Sequence, residues 1–173
     1  MDLYVVRHGQ TDENAHGIIQ GWLDTELNDV GKSQAEEAAR NFGHSIDAII
    51  SSDLKRCHQT AEYFREKYPD VPYSEDARLR ERGFGDAEGT HRDGHDWEVF
   101  WASNDTVSIP NAETLDAYNG RVQDFLDDTR RTLARAVLVV THGGTINRLL
   151  DLTSEDHTYQ PVKNSSVTHI TLA

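Results

Sequence analysis

The sequence predicts an α/β protein: a three-layer α/β/α arrangement around a mostly parallel central sheet, in one domain spanning residues 1–173. Three observations predict it. Short apolar, β-branched runs alternate with helical patterns in the order β-α-β-α … α-β-α-β, which indicates parallel strands joined by crossover helices. Three of those runs end in polar groups, Arg7-His8, Ser51-Ser52 and Thr141-His142. Open α/β sheets place their ligand sites at such strand ends. Finally, 173 residues suffice for one domain with a sizeable core.

Leu3 to Val6 reads as a buried strand. It runs into Arg7-His8-Gly9, and Thr11 and Asn14 follow within one loop. Gly17 to Asp24 is an apolar patch bracketed by Gly17 and Gly21, expected to fold over the strand end. Asn28 caps a helix to about Phe42 with Ala35, Ala38, Ala39 and Phe42 on one face, and Gly43 suits its end. Asp47 to Ser51 is a second strand. Ser52-Asp53 open a helix that Pro69 stops, and Val71 to Tyr73 is a short strand. Residues 79–110 are irregular, with a short helix from about Asp93 to Ala102. Ala112 to Ala134 is the longest helical pattern, with Leu115, Tyr118, Val122, Phe125, Leu126 and Leu133 facing the core. Ala136 to Val140 is the clearest strand, a helix follows from about Gly144 to Leu152, and Val167 to Leu172 alternates as the last strand.

Composition excludes several function classes. With 30 acidic and 17 basic residues the net charge is −13, which argues against nucleic acid and anionic membranes as partners. No apolar window reaches the roughly eighteen residues of a membrane span. The N-terminal apolar run lacks the length and basic flank of a signal peptide, so a cytoplasmic location is expected. One cysteine, Cys57, excludes an internal disulfide and a cysteine-based zinc cluster. Lysine is scarce, at 32, 55, 67 and 163, a composition that fits either a salt-adapted or an ordinary acidic enzyme. An anionic substrate would need a local cluster of arginines in this negative field.

Two histidines at strand ends, arginines at 7 and 56 and a carboxylate at 81 suit phosphoryl transfer. Arginine forks match phosphoryl oxygens bidentately. A neutral histidine nitrogen can attack phosphorus and split one hard step into two. A carboxylic acid can protonate the leaving alkoxide and then activate water.

These residues resemble a known family. Leu3 to Asn14 is similar to the Leu-Tyr-x-Val-Arg-His-Gly-x-Thr-x-x-Asn signature of the histidine phosphatase superfamily, the phosphoglycerate mutase-like family. Four further stretches match its motifs in order: Ser51 to Arg56 with Gln59-Thr60-Ala61, Leu79-Arg80-Glu81 with Phe84-Gly85 and Glu88-Gly89, Glu113-Thr114-Leu115 with Arg121-Val122, and Val139 to Gly144. The resemblance implies that His8 is the nucleophile and that Arg7, Arg56 and His142 grip the phosphoryl oxygens. It implies that Glu81 is the proton donor and then the base, with Glu88 as the alternative. Thr11 and Asn14 would help the phosphate pocket, and Gln20, Gly21 and the Gly143 amide would contact substrate. It implies no metal and no cofactor, except 2,3-bisphosphoglycerate if the chain is a mutase. The partner is then a small phosphorylated metabolite; oligomeric state is left open, a homodimer included.

Two departures stand out. Cys57 replaces a small apolar residue, and Asn111-Ala112 replaces a pair of glycines, so that loop is expected to differ in shape. Between phosphatase and 2,3-bisphosphoglycerate-dependent mutase, the Phe-Gly-x-x-Glu-Gly form at 84–89 favours the phosphatase. So does the expected absence of a longer insertion and tail that would dry a mutase site. A catalytically silent binding protein on this fold would have lost a key residue, and none is lost. His91 and His95 have a spacing that could bind a metal on a helix, but Gly94 between them favours a solvated loop. Trp97 and Trp101 share a helical face, as core or as pocket wall, and Asp124, Asp127 and Asp128 read as a solvated face.

Overall fold

The structure, a computed structural model, describes residues 1–102, 108–154 and 156–172. Part of the irregular 90–112 stretch, residues 103–107, thus lies outside the described residues. The strands are β1 (Asp2–Arg7), β2 (Ala48–Ser51), β3 (Tyr73–Glu75), β4 (Ala136–Thr141) and β5 (Val167–Thr171). The helices are α1 (Asp12–His16), α2 (Asp29–Asn41), α3 (Lys55–Lys67), α4 (Trp97–Ala102), α5 (Leu115–Arg130) and α6 (Gly143–Thr153).

The sheet order is β3-β2-β4-β1-β5. β2 pairs in parallel with β3 and β4, and β4 pairs in parallel with β1. Only β5 runs antiparallel, on the β1 edge. The mostly parallel sheet follows from the sequence: β4 is an uninterrupted apolar run because helices cover both of its faces. On one face Leu3, Val5, Val137 and Val139 pack with Tyr118, Val122 and Phe125 of α5 and Ile146 and Leu149 of α6. On the other, Val6, Leu138 and Val140 pack with Ala39 and Phe42 beside α2 and Phe64 of α3. Each such side chain withdraws apolar area worth about 1.5–3 kcal/mol.

Register places the site. Arg7 aligns with Thr141 and Ser51 with Val140. Three adjacent strands therefore end level, and the residues that follow them meet in one crevice.

Several expectations need correction. Thr11 to Asn14 is not all loop: Thr11 caps α1, its hydroxyl accepting the Asn14 N–H while the Asn14 side chain receives the Thr11 N–H. This reciprocal capping stabilises a single turn that has no periodicity to betray it. Gly43 does not end α2; Phe42 terminates it in extended conformation. α3 begins at Lys55, not Ser52, because the Ser52 side chain is engaged in the site instead. The third strand is shifted from Val71–Tyr73 to Tyr73–Glu75. The helix expected from Asp93 is split, a 3₁₀ turn at Arg92–Gly94 and then α4. Leu133 is not core: α5 ends at Arg130, and Leu133 lies fully exposed past its end.

Candidate active site

The crevice is a cavity of about 330 Å³. Its walls include Arg7, His8, Asn14, Gln20, Gly21, Arg56, Glu81, His142 and Gly143. β1 delivers Arg7 and His8, the first turn of α3 delivers Arg56, and the end of β4 delivers His142. His8, Arg56 and His142 are almost wholly buried.

His8 is held in one tautomer. Its Nδ1 lies 2.7 Å from the Gly9 carbonyl oxygen, which can only accept, so Nδ1 carries the proton. Nε2 then keeps its lone pair inside the cavity, where Arg56 Nε donates to it at 3.3 Å. His142 has the complementary arrangement. Arg56 Nη2 donates to its Nδ1 at 3.2 Å, and its Nε2 faces Ser52 Oγ at 3.0 Å. The two rings are 5.2 Å apart. Burial, then the Arg56 and Arg7 charges, hold His8 well below the ordinary histidine value of 6.5. Burial and Arg56 do the same to His142. Both are neutral bases at pH 7.

This has a consequence for stability. Below pH 6.5 the unfolded chain protonates these two rings and the ligand-free fold does not. The unfolded state then binds more protons, so their contribution is fully present above pH 6.5 and lost as pH falls below it. Urea unfolding is expected to show stability declining from pH 7 to pH 5. Replacing both with asparagine should flatten that decline; a profile that the substitutions leave unaltered would contradict neutral burial.

Arg56 is fixed by main-chain carbonyls, Nη1 donating to Leu23 O at 2.7 Å and Nη2 to Gly21 O at 2.8 Å. Gly21 makes this possible. It sits at φ +51°, and a Cβ there would lie 2.1 Å from Glu88 Oε1. Arg7 donates through Nη1 to the Val162 carbonyl, and a Cβ at Gly143 would lie 3.5 Å from its buried Nε. Gly143 and Gly144 open α6, so the helix amide end faces the cavity, a favourable place for an anion.

Glu81 also lines the cavity, beside the start of α6. Gly144 N donates to its Oε2 at 2.9 Å and Arg82 N to its Oε1 at 3.1 Å. Its carbonyl is pinned by Arg121 Nη2 at 2.7 Å and Trp22 Nε1 at 2.8 Å. Gly144 must lack a side chain, since a Cβ would lie 2.4 Å from Glu81 Oε1. Flanking arginines have other tasks. Arg80 binds Asp53 at 2.6 Å, and Arg82 reaches the Glu113 and Phe100 carbonyls. Glu88 is a loop clamp, its Oε1 accepting from Trp22 N and Phe84 N, and it does not line the cavity.

The remaining predicted contacts divide. Asn14 and Gln20 face the cavity. Gln20 Oε1 accepts from Thr11 Oγ1 at 2.8 Å and Thr25 Oγ1 at 2.5 Å, so its NH₂ is the group offered to a ligand. Thr11 is fully buried behind this wall and supports Asn14 and Gln20 rather than touching the cavity. His91 and His95 do not share a helix, and among the described residues no three His, Cys, Asp or Glu side chains converge as a metal site. Trp97 and Trp101 line the cavity and also pack with Phe84 and Phe100. At the unusual Asn111-Ala112, Asn111 takes φ +61°, a conformation asparagine tolerates nearly as glycine does, and its side chain binds Asp86 at 2.9 Å. Cys57 lies 3.4 Å from His142 Nε2, and burial pushes its thiol up to about 12, so it is an inert packing group.

Sequence reasoning missed the segment before β5. Pro161 and Val162 line the cavity, and Asn164 Nδ2 donates to the His8 carbonyl at 3.0 Å. It also missed Arg92, which stands at the cavity mouth. Neither segment has a motif or period to signal it.

Comparison with known proteins shows the family and the fold. The model of the histidine phosphatase superfamily (branch 1) matches residues 3–173. A protein of Hydrogenobacter thermophilus, provisionally named phosphoserine phosphatase 2, is 36% identical over 87% of this chain and 77% of its own. A 2,3-bisphosphoglycerate-dependent phosphoglycerate mutase of Bartonella bacilliformis is 29% identical over 86% of this chain and 79% of its own. The solved structure of a mycobacterial glucosyl-3-phosphoglycerate phosphatase with VO₃ superposes with a TM-score of 0.85, at 30% identity, covering 98% of this chain and 92% of the other. The chain belongs to the histidine phosphatase superfamily, with the phosphoglycerate mutase-like fold. It is an enzyme of the phosphatase or mutase-like type. No described helix is long and apolar enough to cross a membrane.

Proposed function

We propose that this member of the superfamily is a metal-independent phosphomonoesterase that hydrolyses a small phosphorylated metabolite through a phosphohistidine at His8. The observation that carries the reading is the fixed tautomer: Gly9 O holds Nδ1 and leaves Nε2 as a neutral lone pair between two arginines. Phosphoryl oxygens seated on Arg7, Arg56 and the Gly143 amide, and on His142 once the dianion draws a proton onto its Nδ1, offer Arg56 a better acceptor than Nε2 and free that nitrogen. Nε2 attacks phosphorus as the ester P–O bond breaks, and Glu81, protonated, gives its proton to the departing alkoxide. The resulting carboxylate takes a proton from water, the hydroxide oxygen attacks phosphorus, the Nε2–P bond breaks, and inorganic phosphate leaves. Fixed positive donors stabilise the spread negative charge in both steps. Asn14 and Gln20 complete the phosphate wall, with Thr11 behind them. The cytoplasm is the proposed location.

Phosphate release from 3-phosphoglycerate and an aryl phosphate, in EDTA, with and without 2,3-bisphosphoglycerate, tests this. Free phosphate without isomerisation to 2-phosphoglycerate is expected. Isomerisation that depends on bisphosphoglycerate would replace the reading with that of a mutase. Activity lost in EDTA and restored by a divalent ion would end the metal-free mechanism.

A further inference from the structure

Resting on the phosphatase reading and on Glu81 as its acid, we propose that Tyr118 is a positioning residue for that acid. With Thr145 it forms a pair of buried hydroxyls that hold the Glu81 carboxylate once its proton has gone to the leaving group.

Tyr118 lies on α5 and Thr145 in the first turn of α6, and both are fully buried. The Tyr118 ring belongs to the same apolar cluster as Leu79, Val122 and Ile146, where phenylalanine would pack as well. What tyrosine adds is an oxygen behind Glu81. Tyr118 Oη donates to Thr145 Oγ1 at 3.0 Å, and Thr145 Oγ1 donates to the Arg80 carbonyl at 3.0 Å. Glu81 Oε1 stands 3.5 Å from the first hydroxyl and 3.4 Å from the second. Both protons are thus engaged on nearer acceptors, with the carboxyl oxygen just beyond them. Burial, then the Glu81 charge, push the Tyr118 phenol well above the ordinary tyrosine value, so it stays a neutral donor.

Each Glu81 oxygen already accepts one amide, Gly144 N on Oε2 and Arg82 N on Oε1. Those amides are fixed in acid and carboxylate alike. A hydroxyl turns about its C–O bond. While Glu81 carries its proton, the pair stays directed at Arg80 O. When the proton leaves, the carboxylate is a stronger acceptor than a carbonyl, and both hydroxyls turn to Oε1 as the contacts tighten. The Arg80 carbonyl keeps Arg121 Nη1 as a donor at 2.7 Å. The pair therefore stabilises the carboxylate selectively. It makes Glu81 a readier acid in the first step and holds it in place as the base of the second. Arg7 from β1, Arg56 and Cys57 from α3, Arg121 from α5 and the Tyr159 phenol also face Glu81, and Arg148 of α6 faces Tyr118. Tyr118→Phe leaves all of these in place and isolates the hydroxyl.

The test compares Y118F with the wild type on an alkyl ester, glycerol 3-phosphate, and on an aryl phosphate, from acid to alkaline pH. Only the alkyl leaving group needs the proton. For it, kcat/KM should fall about 3- to 10-fold, and the alkaline limb should move up by about one pH unit, because the carboxylate has lost a donor. The aryl kcat/KM should keep its size and its profile. Added to Glu81→Gln, Y118F should cost nothing further on the alkyl ester. Thr145→Val should move the limb in the same direction, and Thr145→Ser, which keeps the hydroxyl, should restore it. Equal losses on both esters with unmoved limbs, or a further loss in the Glu81→Gln background, make Tyr118 a packing group and overturn the proposal. A ¹³C NMR titration of the Glu81 carboxyl reads the pair without turnover. Y118F should move its midpoint upward; an unmoved midpoint overturns the proposal whatever the kinetics. A moved midpoint in a protein that hydrolyses neither ester overturns the phosphatase reading alone.

Discussion

His8→Ala is expected to lower kcat by at least about 10⁴-fold on every phosphomonoester, because the reaction loses its nucleophile and the other buried histidine, His142, has both ring nitrogens engaged by Arg56 and Ser52. Cys57 is the only thiol, and its raised pKa and packing against His142 keep it from serving. Binding should persist. Arg7 keeps its Val162 carbonyl and Arg56 keeps the Gly21 and Leu23 carbonyls without His8. Inorganic phosphate should therefore still raise the Tm of the variant, which separates lost chemistry from a lost fold. Turnover within 10-fold of wild type would refute the nucleophile assignment.

Glu81→Gln is expected to separate the two chemical steps. An alkyl phosphate leaves as a strongly basic alkoxide and needs the proton, so kcat should fall about 10²–10⁴-fold. An aryl phosphate leaves as a weakly basic phenolate and needs no acid, so His8 should still be phosphorylated. Hydrolysis of the phosphohistidine then lacks its base. The aryl substrate should give a burst of one phenolate per enzyme followed by a slow phase. Glutamine keeps one of the two acceptor oxygens that the Gly144 and Arg82 amides use, and the main-chain anchors of Glu81 on Arg121 and Trp22 are unchanged, so the loop should hold its shape. Equal losses on alkyl and aryl esters, with no burst, would contradict the acid-then-base role. Glu88→Gln would then become the informative variant.

Much of the site was legible because its parts sit where local signals are strongest. Leu3 to Val6 and Ala136 to Val140 are apolar runs that stop at a charged or polar residue, and the parallel register brings those stops level. Arg56 and Glu81 were legible only as members of ordered motifs. In isolation a buried Arg56 and a glutamate between two arginines both read as surface charge. Arg82 shows the limit: it is fully buried, with its guanidinium 3.7 Å from the centre of the Phe100 ring, a setting that no local pattern announces. The segment carrying Val162 and Asn164 was illegible for a different reason. Its partners Arg7 and His8 lie 155 and 156 positions away, and its contacts run through main-chain carbonyls that any sequence supplies. Leu133 was misread because the helical spacing of apolar residues continues past the point where the backbone leaves the helix at Arg131. Gly43 was misread because a helix can also end in an extended residue, here Phe42, whose ring anchors the chain in the core.

The most direct measurement is a rapid quench with ³²P-labelled aryl phosphate on the Glu81→Gln enzyme, followed by peptide mapping. The account predicts close to one label per chain, acid-labile and base-stable, on the peptide that contains His8, and none when His8→Ala is added. Label on His142 or on another residue, or single-turnover release of phosphate with no protein-bound label at any time, would contradict it.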